Sequence, residues 1–352
     1  MKTKSSKVYF LSWEKRKNLT KLLEISRLSE ILNNRDFIAI KTHFGEKGNH
    51  GYIKLDLFKD IINIVKSKKN YPFLTDTNTI YNGQRNNTPN HLMLAHGHGF
   101  SFEKTKIPVI IADGLKGNDY KEVKINGTYF KSVKIAQAIY EADSMIVISH
   151  FKGHILSGFG GAIKNLGMGC AAKIGKFEIH SGVSPTVNES KCIGCGKCVK
   201  ICSHEALKII NGKIKLDADK CAGCGECIIS CNIGALTLTW SEPSKSFQEK
   251  TVEYALGAVK DKKIFYITFI NNITTFCDCW SMENPTIAPD IGIITSDDPV
   301  AIDQAALDLV IKNTGEDVFK KAHPNINHKT QLEYAEKIGL GSRKYILETV
   351  DI

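Results

Sequence analysis

Proline is scarce in this chain, 9 in 352 residues, and glycine is ordinary at 28, so the protein is neither collagen-like nor low in complexity. No stretch reaches the roughly 18 consecutive apolar residues that a spanning helix needs, and the N-terminal MKTKSSKVYFLSWEK has too short an apolar run for a signal peptide. These absences predict no membrane association and a reducing, cytoplasmic setting. Acidic residues are the minority, 37 against 47 Lys and Arg, for a formal charge of +10. The lysines are scattered, with no basic run interleaved with aromatics, which reads as a solvated surface and argues against nucleic acid as a partner. With 42% hydrophobic residues the chain is globular rather than disordered. What it has in excess is cysteine: eleven, eight of them between Cys192 and Cys231. An odd, clustered count argues against a secreted disulfide framework and for thiolates as metal ligands.

Before the cysteine block, strand-like and helix-like segments alternate. Residues 8–13, 37–42, 71–75, 108–112 (PVIIA) and 145–149 (MIVIS) read as strands, the last two as continuous apolar runs buried on both faces. Residues 19–32 and 55–65 carry apolar side chains at helical spacing. After the block, 247–259 reads as a helix and 264–270 and 291–295 as strands. Asp298-Pro299 supplies an N-cap and a first-turn proline for a helix over 300–311 that Gly315 can end. A helix over 331–338 and the strand-like YILETV follow. This alternation predicts an α/β fold with a mainly parallel sheet flanked by helices. The block at 184–240, between Ser184-Pro185 and Ser241-Glu242-Pro243, breaks the rhythm, which then resumes. It reads as a small α+β insert in a discontinuous outer domain, 1–183 plus 241–352; two consecutive domains are the plainer alternative.

Within the block, KCIGCGKCVKICSHEALKI (191–209) and KCAGCGECIISCNIGALTL (220–238) are identical at nine of nineteen positions. Each contains C-x2-C-x2-C-x3-C. Three thiolates two residues apart, on a loop turned by Gly194 and Gly196 or by Gly223 and Gly225, can wrap one cubane. The fourth, expected to open a helix pointing away, then ligates the other. The expected sets are Cys192, Cys195, Cys198 and Cys231 for one [4Fe–4S] cluster, and Cys221, Cys224, Cys227 and Cys202 for the second. Zinc sites usually pair two CxxC motifs across a longer spacer, which is not this pattern. The block resembles the bacterial two-cluster ferredoxins over its whole length. It departs from them in carrying Ser203 and Asn232 where a proline usually follows the fourth cysteine. Its seven lysines against five acidic residues can offset the clusters' negative charge.

In open α/β sheets ligands bind at the carboxyl ends of the strands. Here those ends carry His43, Gly45 and Glu46; Asp76; Asp113; His150, Lys152 and His154; Asn271, then Cys277, Asp278 and Cys279; and Ser296 to Asp298. Imidazoles and thiols recurring at several ends predict a shared polar pocket. The segment 149–170 has the form strand, Gly-rich loop (Gly158, Gly160, Gly161), helix. Such a loop can present backbone N–H groups to an anion, with Lys152 or Lys164 adding charge; a tight connection is the plainer reading. Cys277-Asp-Cys279 can bind a metal, exchange electrons, or simply alternate across a strand end. Cys170 reads as packing, and His91, His96 and His98 as structural or solvated.

The segments KTHFGEKGN (41–49), LTDTNTIYNGQR (74–85), SHFKGHILSGFGGAIKNLGMGC (149–170), CDCW (277–280) and PDIGIITSDDPVAIDQAALDL (289–309) together resemble the DUF362 family of uncharacterised iron–sulfur centre proteins. The resemblance implies a DUF362 core with a ferredoxin insert, found mainly in anaerobic bacteria and archaea, and supplies no settled reaction.

The leading expectation is a redox protein in which the insert passes electrons to or from a site built of His43, His150, Lys152, His154, Cys277 and Cys279. In it, His150 or His154 donates a proton, Lys152 anchors an anion, and the C-x-C pair serves as metal ligand or electron acceptor. Its partner is a redox protein or a small-molecule acceptor, with an additional metal or small anionic ligand in the α/β domain. The alternatives are a non-enzymatic electron carrier, a metal or cluster assembly factor, and a purely structural role for the clusters. Oligomeric state is not legible.

Overall fold

Runs such as FIAIK and MIVIS, apolar at nearly every position, need cover on both faces, and they lie at the centre of an eight-stranded sheet. The computed structural model describes residues 5–81, 83–180, 185–202, 204–221, 226–237, 244–280 and 284–351. The sheet order is Tyr345–Thr349, Ser6–Ser12, Gly292–Ser296, Lys263–Ile270, Ser144–His150, Phe37–Lys41, Tyr71–Asp76, Val109–Ile111. All pairings are parallel except the two made by Gly292–Ser296, which runs against both neighbours. It lies where the sequence predicts a strand, and its direction leaves no mark in the sequence, because an antiparallel strand in a covered sheet is as apolar as a parallel one.

The alternation of Cβ direction splits each strand between two cores. Met145 and Val147 pack into one cluster, with the helices Ala162–Cys170, Ser244–Val259 and Pro299–Thr314. Ile146 and Ile148 pack into the other, with Leu19–Ile25 and Lys59–Lys66. The helix expected over 19–32 breaks at Arg27, whose φ of 62° is left-handed, and resumes as a 3-10 turn at Leu28–Ile31. Asp298 caps Pro299–Thr314 as expected, accepting N–H bonds from Val300 (2.8 Å) and Ala301 (3.0 Å), and Gly315 at φ 73° ends it.

Every strand of the large sheet lies outside 184–240, and segments from both sides of that block contribute to it. Within the block, Leu207–Ile210 pairs with Lys213–Leu216, and Thr186–Val187 with Leu236–Thr237. Its buried residues, among them Cys192, Cys198, Leu207, Ile214, Cys227 and Leu236, form a hydrophobic cluster of their own. Cys224, Gly223, Gly225, Ser203 and the boundary residues 184 and 241–243 lie outside the described residues. One expectation fails here. The fourth cysteine of each motif does not open a helix but follows one: Cys202 comes after Lys197–Ile201 and Cys231 after Glu226–Ser230. The x3 spacing spans one helical turn, begun directly after Gly196 in the first repeat.

The helix Ala162–Cys170 starts without a side-chain cap of its own. A buried carboxylate from another helix does the job: Asp303 accepts the N–H groups of Ala162 (2.7 Å) and Ile163 (2.9 Å). Replacing it leaves two buried donors unmet, so Asp303→Ala should cost about 2–4 kcal/mol, read as a lower thermal midpoint. An unchanged midpoint would show that this contact does not hold the helix start.

Candidate functional site

A cavity of about 550 Å³ opens at the carboxyl ends of the central parallel strands. His43, His150, Lys152, His154, Lys164, Cys277 and Cys279, all singled out from the sequence, line it together with Gly160 and Gly161. Gly158 lies outside the lining.

Two buried ion networks form its walls. In the first, Lys41, ending Phe37–Lys41, places Nζ 3.0 Å from Asp76 Oδ1 and 2.8 Å from Asn165 Oδ1. Asp76 also meets Arg85 Nη1 at 3.4 Å, Arg85 Nε lies 3.3 Å from Glu46, and the guanidinium donates to the Tyr81 hydroxyl. Burial alone would raise the Asp76 pKa, but the cations Lys41 and Arg85 outweigh it and hold the carboxyl well below its ordinary value. In the second network, Asp278 accepts from His150 Nδ1 at 2.9 Å and from Lys152 Nζ at 3.2 Å. Burial opposes the Lys152 ammonium, but Asp278 and Cys277 overcome it and raise its pKa.

These contacts reassign two expected roles. His150 Nε2 lies 2.8 Å from the carbonyl of Asn271, so both ring nitrogens face oxygen partners and the ring orients Asp278 instead of donating into the cavity. Lys152 also donates to the His150 carbonyl at 3.0 Å and is committed to the wall. His154 is the better donor. Its Nδ1 accepts from the N–H groups of Leu156 and Ser157, both at 3.2 Å, which leaves the proton on Nε2. Burial, then Lys164, keeps this ring neutral by pushing its pKa well below 6.5. His43 is arranged alike: Nδ1 accepts from Gly45 N at 3.0 Å, and burial followed by Arg85 lowers its pKa.

The Gly-rich segment differs from its expected form. Gly158–Gly160 is a strand paired with Lys152–His154, and the helix N–H groups at Ala162 and Ile163 already serve Asp303, so no anion cradle is left at those two donors. The glycines answer to close approach. Gly158 sits at φ 74°, with a Cβ there 2.4 Å from His328, and a Cβ on Gly161 would lie 2.3 Å from Asp303 Oδ1. At Gly160 a Cβ would press on the Lys164 side chain at 3.0 Å.

Cys277 and Cys279 sit in a tight turn, with Trp280 N donating to the Cys277 carbonyl at 3.1 Å. The Cys277 sulfur receives the Cys279 N–H at 3.4 Å and lies 3.9 Å from Lys164 Nζ. The hydrogen bond from the Cys279 thiol holds Cys277 well below the usual thiol pKa against burial, with Lys164 and Lys152 assisting, and the same bond raises Cys279. These influences favour deprotonation at Cys277 before Cys279. Cys170 packs 4.0 Å from Met145 Sδ, and burial pushes it up to about 11.

Asp76 and Asp278, named at the strand ends but given no role, also line the cavity, as do Arg85, Lys41, Lys176 and His180, which were not singled out from the sequence. Signals existed for some: Lys41 is a charge ending an apolar strand, and Lys176 and His180 lie one helical turn apart on Lys173–His180. His180 and Phe247 stand on either side of the 184–240 block in sequence; their rings meet at 4.9 Å on the cavity wall, and His154 stacks on Phe247 at 5.8 Å.

In the cysteine block none of the described cysteines forms a disulfide. Backbone N–H groups converge on their sulfurs: Gly194 (3.4 Å) and Ile214 (3.3 Å) on Cys192, and Ala235 (3.3 Å) on Cys231. Burial, then Cys231, raises the Cys198 pKa, and cysteines of both repeats share one buried cluster. Among the described residues no three His, Cys, Asp or Glu side chains gather as they would around one metal ion. A cubane instead spreads its sulfurs around a cluster, and a donor set of soft thiols with N–H bonds to sulfur fits that group.

Residues 38–308 match the family model described as a domain of unknown function, DUF362. No curated protein matches the sequence. Among solved structures, the lactate racemase apoprotein from Thermoanaerobacterium thermosaccharolyticum is similar at 12% identity and TM-score 0.40, over 76% of this chain and 51% of that one. A structural-genomics protein from Thermotoga maritima is similar at 10% identity and TM-score 0.38, over 92% of this chain and 59% of that one. This chain thus spans little more than half the length of either. Among the described residues no helix is long and apolar enough to cross a membrane.

Two outcomes follow from the electrostatics. Iodoacetamide should alkylate Cys277 rapidly well below pH 9, and Lys164→Met or Cys279→Ala should move the pH profile up by about one unit, read by mass spectrometry. An ordinary thiol profile in the unmodified protein would exclude the thiolate. Second, burial lowers His91 and His180 to about 3 each. Below pH 6.5 the unfolded chain takes up protons that the folded chain refuses, so stability falls with pH. At pH 5 each ring should cost about 2 kcal/mol relative to pH 8. The thermal midpoint should drop accordingly and the drop should shrink in H91Q and H180Q; a flat profile would show that the rings are not buried neutral.

Proposed function

This chain belongs to the DUF362 family, and from that membership, its cysteine repeat and its cavity we propose that it is an iron–sulfur redox protein serving a ligand site in its α/β domain. Cys192, Cys195, Cys198 and Cys231 would hold one [4Fe–4S] cluster, and Cys221, Cys224, Cys227 and Cys202 the other. Bound there, the clusters supply one-electron chemistry. The N–H groups of Gly194, Ile214 and Ala235 stabilise negative charge on the ligand sulfurs.

The observation that carries the coupling is where the block is attached. His180, before it, and Phe247, after it, touch on the cavity wall. Five residue steps separate His180 from Pro185, so covalent reach alone keeps the start of the block within about 18 Å of that wall. Cys277 and Cys279 are suited to receive electrons. Opening a Cys277–Cys279 disulfide takes two electrons and one proton and gives the thiolate on Cys277 and the thiol on Cys279, the distribution that Lys164 and the shared hydrogen bond favour. Asp278, tied to His150 and Lys152, holds the turn in place.

Anaerobically purified protein should contain about eight irons per chain. When its reduced clusters are left with the oxidised pair and no free reductant, two alkylatable thiols should appear at Cys277 and Cys279 as cluster absorbance returns. In C277A/C279A the clusters should form equally and stay reduced. Iron-free protein would overturn the cluster assignment, and a disulfide that persists beside reduced clusters would overturn the coupling.

A further inference from the structure

The cavity's hydrogen-bonding capacity is lopsided. Lys41 and Lys176 spend their ammonium donors on protein oxygens, Lys41 on Asp76, Asn165 and the Thr42 carbonyl, Lys176 on Thr77 and Asn78. Arg85 is taken by Asp76, Glu46 and Tyr81, and Lys152 by Asp278 and the His150 carbonyl. Lys164 is different: among the described residues its ammonium meets no oxygen acceptor, only the Cys277 sulfur at 3.9 Å. Beside it, His154 has its acceptor nitrogen consumed and an N–H remaining on Nε2; His43 on the same lining has the same arrangement. The side-chain nitrogens left for a ligand are therefore donors, one on Lys164 and one on each of two imidazoles; of the lining acceptors, Thr79 Oγ1 has no partner and can give or accept, and the Cys277 sulfur faces Lys164. Both acidic lining residues, Asp76 and Asp278, are already paired with cations.

Ile155, Leu156, Met168 and Phe247 face the same space, and Trp280 borders it. A ligand that satisfies both parts carries oxygen acceptors at one end and an apolar body at the other. One unspent ammonium suits a single negative charge better than the two of a phosphate monoester.

We propose that this cavity binds an organic carboxylate, its oxygens held by Lys164 and the Nε2–H of His154 and its apolar body against Phe247. This names the substrate class of the site proposed above and rests on that site being a ligand cavity. The glycine at 160 fits the assignment, because a side chain there would displace Lys164. Of the two lysines expected to add charge to an anion site, Lys152 is held by Asp278 and Lys164 meets no oxygen partner among the described residues.

Calorimetry on anaerobic, cluster-containing protein, with benzoate against the neutral isostere benzamide, tests it. Benzoate should bind and protect Cys277 from iodoacetamide, and benzamide should bind at least about tenfold more weakly. Lys164→Met should weaken benzoate by about 10- to 100-fold, the range for one charge-assisted hydrogen bond, while Lys164→Arg retains it. An unchanged thermal midpoint and far-UV spectrum in both variants show that the α/β domain folds. No benzoate binding, equal binding of benzamide, or undiminished binding in Lys164→Met would each overturn the proposal. The measurement requires no electron transfer, so its failure would leave the redox reading standing, and failure of the redox test would leave this one standing.

Discussion

Asp278 is the constraint on which the site depends. It stands between the two thiols of the C-x-C turn, fully enclosed, and a carboxylate in that position is tolerable only if cations meet it. Lys152 supplies the positive charge, and His150, at the end of a central strand, adds a hydrogen bond from Nδ1. The link ties a loop following one strand to the end of its parallel neighbour, because Phe269 lies beside His150 in the register. With Asp278 turned into the wall, Cys277 and Cys279 are both left on the cavity lining.

The opposite wall follows the same logic with different residues. Lys41, Asp76 and Arg85 are buried charges that neutralise one another, and Glu46 extends the chain to the loop around Gln84. Charge is thus spent on rigidity at both sides, and Lys164 and the two cysteines remain as the reactive inventory. Such pairing fixes geometry more than it adds net stability, since desolvation offsets much of the attraction.

Much of this frame was legible beforehand. Apolar runs marked the central strands, and the polar residues following them marked the cavity, because strand direction and a single sheet bring those ends together. Asp298-Pro299 marked a helix start through its own side-chain chemistry. What could not be read was how donors and acceptors are shared. Whether Lys152 or Lys164 stays unspent depends on Asp278 lying 3.2 Å from one of them, a contact across 126 positions of sequence. The Gly-rich stretch looked like an anion loop because glycine marks close approach without saying what approaches; here it is Asp303, His328 and Lys164. The helix after each cysteine trio was misplaced by one turn for a similar reason: the ligand spacing constrains sulfur positions, not which residue begins the turn.

The attachment of the cysteine block has an architectural consequence. All eight strands of the main sheet, and the helices whose ends carry His180 and Phe247, lie outside it, and those ends already touch. Excising 184–240 and bridging the gap with a short Gly-Ser loop would leave every strand neighbour in register. The chain is thus built as a chassis carrying a separate cysteine-rich block, which can be exchanged without redesigning the sheet that frames the cavity.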